Sequence, residues 1–413
     1  MKKDQPMKFV LRPLKNTCPG YYQLFAGLAV MLAVGLGAVW YMEHHGHIVT
    51  GMNNQVVWGL PHVFAVFLVV AASGALNVAS MPSVFGKTEF KPLAPLSGVS
   101  AIALLMGGLM VLMLDLGRPD RLIVAMTHFN FKSIFTWNVF LYSGFVGFVV
   151  AYLWTMMERR MNRFTPLAGF VAFIWRMALT TGTGSIFGFL VARQAYDSAI
   201  LAPLFIALSL SYGLAVFTLV LMLASLGSAR PLGDALMARF ARLQAIFIAA
   251  GFYFVVVYHL TNLYFTKHHE VERFILLDGG IYTALFWLGQ IGLGTLLPFL
   301  LLIHPKIGAM RSRMAASAAL VILGGFAQMY VTIIGGQAFG LVLFPGRQVS
   351  SSFFDGVTGS YSPSLPEWLL GFGGVALAGL ILMLALKVLG FLPERLDDAA
   401  MEKVPAQPSA ATA

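Results

Sequence analysis

Ten stretches of about 20 or more largely uncharged residues, separated by short polar connectors, constrain this chain more than any other feature. An α-helix rises about 1.5 Å per residue, so about 20 apolar residues cross a hydrocarbon core roughly 30 Å thick. Inside that core every backbone polar group needs an internal partner, and a run of this length meets the need as a helix. The expected spans are Tyr21–Met42, Val57–Met81, Leu93–Leu116, Ser133–Met157, Leu167–Arg193, Ala199–Leu226, Leu243–Phe265, Phe274–Ile303, Met314–Phe344 and Pro366–Leu392. The fold class is therefore all-α: a polytopic integral membrane protein with about ten transmembrane helices. Only 11% of its 413 residues are charged, against about 25% in a soluble domain.

The net charge of +10 does not point to nucleic acid, because the basic residues fall in short clusters between apolar runs. They act instead as orientation signals. Counted over the N-terminus, alternate loops and the C-terminal end, one side holds 19 of the 27 lysines and arginines and the other holds 7, with Arg176 inside a span. The positive-inside rule then places both termini in the cytoplasm of a bacterial inner membrane. The expected organisation is a cytoplasmic N-terminal segment (1–20), a helical membrane domain (21–392) and a disordered cytoplasmic tail (393–413) rich in Ala and Pro. The first apolar run is too long for a cleaved signal and lacks a convincing cleavage site, so it is read as retained. A single cysteine, Cys18, cannot hold an iron-sulfur cluster or a disulfide framework within this chain.

"LMLDLGRPDR", Leu112 to Arg121, places an acid where the third apolar run ends. Gly117 is expected to supply a left-handed cap there and Pro119 to stop the helix. The negative end of a helix dipole disfavours an ionised carboxylate, so Asp115 is a candidate proton-handling group. The plainer reading is a cap, with Arg118 holding the last carbonyls and Asp115 paired to it. His62, in "VVWGLPHVFAVF", and His259, in "VVVYHLTNLYF", fall at a similar depth, with Tyr258 and Asn262 beside His259. A neutral imidazole can take a proton near physiological pH and an adjacent acid can pass it on, which is the chemistry of a quinone carbonyl or quinol hydroxyl. An interhelical hydrogen bond and a bis-histidine haem are the alternatives for these histidines.

Arg176, about nine residues into its span, is costly unless paired or wet. It either anchors a proton path with Thr180 and Thr181 or snorkels to the nearer headgroups. Gly184 and Gly188 form a small-residue pair suited to close helix approach. "EHHGH", Glu43 to His47, lacks cysteine or further acids and is read as solvated sequence, with weak zinc binding as the alternative; no metal site is assigned to it.

"LDLGRPDR" at the end of a transmembrane helix resembles the signature of the NrfD/PsrC family of quinone-interacting membrane subunits. The ten-span layout, "WGLPHVFAVFLVVAASGALNVAS", "NFKSIFTWNVFLYSGF" and "AYLWTMMERR" extend the likeness over most of the chain, towards the branch found in Dsr-type sulfur-metabolism complexes. The family motif falls on Asp115, Gly117, Arg118 and Pro119. The resemblance implies a quinone or menaquinone site near the outer surface. Of the residues assigned to it here, Asp115 stands in the family motif, whereas His62, His259, Tyr258 and Asn262 are assigned from their depth along the spans; Asp115 and His62 are read as the catalytic pair. It implies no haem or cluster in this subunit. It also implies docking, through Arg118 and Arg121, to a periplasmic ferredoxin-like iron-sulfur subunit within a complex of further membrane and cytochrome subunits. A secondary transporter is the rival class; it would keep its site near the midplane between repeats, and no strong repeat is evident.

Overall fold

The computed structural model describes residues 10–14, 19–228, 230–304, 310–341 and 356–398. Among these, ten helices are long and apolar enough to cross a membrane: α1 (Pro19–His45), α2 (Leu60–Ser83), α3 (Thr88–Leu114), α4 (Ile134–Met157), α5 (Asn162–Gly188), α6 (Leu201–Ser228), α7 (Asp234–Tyr264), α8 (Ile281–Ile303), α9 (Arg311–Ala338) and α10 (Leu365–Val388). The chain is a multi-pass integral membrane protein.

Helix α2 is the axis of the bundle. It packs against α3, α6, α9 and α10, and 94% of its most apolar 18-residue window is buried in protein. Helices in lipid gain nothing from hydrophobic exclusion of one another, so their packing depends on close backbone approach through small residues. The crossing of α2 with α6 illustrates this: a Cβ on Gly213 would stand 2.1 Å from the carbonyl carbon of Gly74. Gly184 and Gly188 do what the sequence suggested, since a Cβ on either would press on the carbonyls of Leu201 or Ser198 at 2.6 and 2.8 Å. The contact fixes where α5 turns into α6.

Three stretches wind as π-helix: Phe274–Asp278, Leu285–Leu296 within α8, and Val331–Gly335 within α9. Such turns occur disproportionately at functional sites.

Both ends of the described chain meet at one end of the bundle. Leu11–Arg12 pairs antiparallel with Leu392–Pro393, and Arg230 donates to the carbonyls of Pro13, Leu392 and Pro393 at 3.1, 2.8 and 3.2 Å. The segment expected to be disordered from 393 therefore begins in packed structure. Leu396 bridges to Leu232 and is buried. The remainder of the tail, 399–413, and Cys18 lie outside the described residues.

Candidate functional site

Pro61 opens α2, where its missing N–H costs nothing, and His62 follows it. At the same end of the bundle α3 finishes at Asp115, whose N–H donates to Val111 O. The antiparallel packing of α2 on α3 brings the two together: His62 Nδ1 stands 2.7 Å from Asp115 Oδ2. The side chain of Asp115 is 0% exposed and that of His62 16%. The contact is at ion-pair distance but out of line for a ring N–H bond, so the buried carboxylate makes no hydrogen bond to the described residues.

An aromatic platform holds His62 from one side. The Trp58 ring stacks on His62 and on Tyr196, with centroids 5.9 and 6.3 Å away, while Phe187 and Phe135 meet its edges. Trp58 is fixed through its backbone. Gln337, buried at the end of α9, accepts from the N–H groups of Val57 and Trp58 and donates to Trp58 O. Arg193 closes the same corner by donating to Gln337 O and Gln55 O, each at 3.0 Å.

The expected left-handed cap at Gly117 is not what ends α3. Among the described residues only Gly46, Gly86, Gly280 and Gly356 have positive φ. Asp115 itself closes the helix in a right-handed turn (φ −87°, ψ −4°), and Leu116 N donates to Met113 O. Arg118 does not hold Asp115 either. Its guanidinium forks onto Asp120 with two bonds of 3.1 Å, and its side chain is 63% exposed. The hydrogen bonds from Arg118 hold the Asp120 carboxyl below the usual carboxylate range. Arg121 is exposed beside it, and the short helix Leu122–Thr127 that follows buries none of its residues.

A second histidine–carboxylate pair, which the sequence reading missed, sits where α7 ends. His259 Nδ1–H donates to Glu272 Oε2 at 2.7 Å, and Asn262 Nδ2 donates to Glu272 Oε1 at 2.8 Å. Glu272 is 1% exposed. Asn262 Oδ1 accepts from His268 Nδ1 at 3.1 Å, and His268 Nε2 faces Asp197 at 3.9 Å. In both pairs the carboxylate faces Nδ1, hydrogen-bonded at His259 and at contact distance without a hydrogen bond at His62, which leaves Nε2 as the atom able to accept a proton from outside. The Tyr258 hydroxyl is committed to Ala195 O at 2.7 Å. Beside His259 lies a cavity of about 40 Å³, lined also by Gln290, Gln328 and Thr332, to which each of the π-helical stretches contributes at least one residue. That volume admits water but not a ring. No direct contact joins His62 to His259 among the described residues; the segment from Arg193 to Asp197 lies between the two pairs.

The remaining candidates separate. Arg176 is buried at 2% exposure, donates to Asn77 Oδ1 at 3.1 Å and lies over the Phe173 ring; it does not snorkel. Thr180 joins it, bonded to Ser73 Oγ at 2.5 Å and to Arg176 O. Thr181, one residue and 100° further round the helix, is exposed and bonds to Met177 O, so it takes no part in the cluster. His44 and His45 turn back onto the carbonyls of Trp40 and Tyr41.

Residues 48–341, which include both pairs, match the family described as "Polysulphide reductase, NrfD". The chain belongs to the NrfD family. It is 28% identical over 386 residues to the Hdr-like menaquinol oxidoreductase integral membrane subunit of Archaeoglobus fulgidus, covering 93% of this chain and 96% of the relative. It is 24% identical to the C subunit of selenate reductase from Mesobacillus selenatarsenatis, over 87% of this chain and 91% of the relative. The C chain of polysulfide reductase from Wolinella succinogenes is 26% identical over 69% of this chain and 96% of its own length.

Proposed function

We propose that this NrfD-family chain is the quinol-reactive membrane subunit of an electron-transfer complex, working on menaquinol at the end of the bundle that carries His62 and Asp115. The observation that carries the reading is a fully buried carboxylate 2.7 Å from a partly exposed imidazole, backed by an aromatic platform. Oxidation of a quinol releases two electrons and two protons. His62 Nε2 is the acceptor for the first hydroxyl proton, passes it to water at its exposed edge and then takes the second; Asp115 stabilises the imidazolium each time it forms, and Trp58 offers flat apolar surface to the ring. The two electrons leave to a partner subunit, as the relatives named as subunits of oxidoreductases suggest.

That partner is a periplasmic ferredoxin-like iron-sulfur subunit docked on the loop from Leu116 to Lys132. There Arg118 and Arg121 are exposed beside the uncovered apolar side chains of Ile123, Val124 and Phe131. The lysine and arginine bias supports placing this loop outside and both termini in the cytoplasm of a bacterial inner membrane. The sequence likeness to Dsr-type subunits supports a role in sulfur metabolism. A secondary transporter would place its ionisable pairs near the midplane, and a bis-histidine haem would need imidazoles facing one another; here each histidine turns to a carboxylate at a helix end.

The test is to purify the chain with its partner subunits, add a short-chain menaquinol, and follow cluster reduction by electron paramagnetic resonance. Cluster reduction that depends on this subunit and is lost in His62→Ala supports the reading. Full reduction in that variant removes His62 from the reaction.

A further inference from the structure

At the opposite end of the bundle, where α2 finishes and α3, α5 and α7 begin, the helices part around a cavity of about 680 Å³. It lies outside the quinol site proposed above. Four cations line it: Lys87, Arg239 and Arg242 at an exposed rim, and Arg176 at the buried floor. The one acid in the lining, Glu89, is already paired with Arg239. Among the described residues no carboxylate pairs with Arg242, Lys87 or Arg176, and the Arg176 Nε is buried without a hydrogen-bond partner. The cavity therefore carries an uncompensated charge of about +3 beside walls that are mainly apolar, among them Met177, Leu243 and Phe247.

We infer that this cavity is a binding site for an anionic phospholipid. Arg242 stands immediately before the apolar run that starts at Leu243, and Arg176 nine residues into the run that starts at Leu167, about 14 Å along it. The rim is thus at the edge of the apolar layer and the floor deeper within it. Phosphate oxygens take the rim guanidinium and ammonium groups, the charge of Arg176 draws the head of the lipid inwards, and an acyl chain lies along the apolar wall. Basic pockets between transmembrane helices recognise anionic headgroups by this division of labour. A free anion has no use for the apolar wall. A quinone head has no use for the excess charge, and the lining contains no histidine to exchange its proton.

The experiment is native mass spectrometry of the detergent-purified protein with its partner subunits, after exchange into micelles containing phosphatidylglycerol or phosphatidylcholine. The phosphatidylglycerol adduct should survive activation that strips phosphatidylcholine. Arg242→Gln and Lys87→Gln should each weaken it about fivefold, the effect of one basic residue at a lipid surface. Arg159→Gln, an exposed cation outside the cavity, should leave it unchanged. Equal retention of the neutral lipid, equal loss in Arg159→Gln, or displacement by inorganic phosphate or by a short-chain quinone would each overturn the proposal. The rim residues are exposed, so their substitution leaves the packed core intact, and the melting temperature of each variant checks this.

Discussion

Replacing Asp115 by Asn keeps the volume of a side chain that is fully buried and removes only its charge. When His62 takes a proton from quinol, the resulting cation faces Asp115 at 2.7 Å. At an effective dielectric of about 20 the Coulomb attraction at that separation is about 6 kcal/mol. Both groups surrender water to reach it, and the net value of a hydrogen bond to a charged group is about 1.5–3 kcal/mol. If that difference appears in the transition state, kcat for quinol oxidation falls roughly 10- to 150-fold. KM should stay within about twofold, since neutral quinol in the ground state does not call on the charge. His62→Ala should lose a similar amount, and the double variant no more than the worse single, because two members of one proton-transfer unit do not add. The assay is steady-state quinol oxidation by the intact complex. Turnover within twofold of native in Asp115→Asn, or a double variant whose loss is the product of the two single losses, refutes the proton-handling role.

Glu272→Gln removes the charge behind His259 while Asn262 keeps an oxygen to donate to; turnover should drop about tenfold with little change in melting temperature, and an unaltered rate would leave this second pair structural. Burial holds the His268 imidazole below its usual range, against the opposing pull of Asp197. The unfolded chain then binds the extra proton first as pH drops, so His268 contributes no penalty above about pH 6.5 and destabilises the fold as pH falls through its lower native value. His268→Gln should therefore flatten the acid limb of melting temperature against pH, and an identical limb would exclude this group. Arg118→Ala should leave the melting temperature unchanged but cut recovery of the iron-sulfur partner severalfold, with Arg118→Lys restoring part because it lacks the guanidinium fork; undiminished recovery would return Arg118 to an exposed partner of Asp120.

The membrane spans were legible because length and apolarity alone decide them, and each of the ten expected runs overlaps one observed helix. Their ends were less so. The fifth was expected over Leu167–Arg193 and runs Asn162–Gly188, since Pro166 is tolerated in a first turn and the close packing of Gly188 on Ser198 stops the helix before the apolar residues end. His62 and Asp115 were each visible as polar residues at apolar boundaries, but their pairing depends on the register of α2 against α3, which no local pattern encodes. Glu272 was missed because "HHEVER" reads as a solvated connector; only tertiary folding buries it under His259. Nothing near Trp58 in sequence reveals Gln337, some 280 residues on, as the clamp on its backbone. Thr180 and Thr181 were grouped by adjacency, whereas neighbouring residues on a helix point about 100° apart.

Helices α1 and α10, far apart in sequence, lie side by side, and α10 packs on both α1 and α3. Its buried Glu367 accepts from Gly51 N and from the Tyr361 hydroxyl, which in turn accepts from Leu60 N at the start of α2. The loop that carries Trp58 to His62 is thus fastened by a segment some 301 residues further along the chain. Insertion proceeds along the sequence, so until α10 enters, α2 has one flank open to lipid and this fastening is missing. A polypeptide arrested before α10 would sit in the bilayer with the seam open, and the closure of that seam marks the copies in which the histidine loop is held.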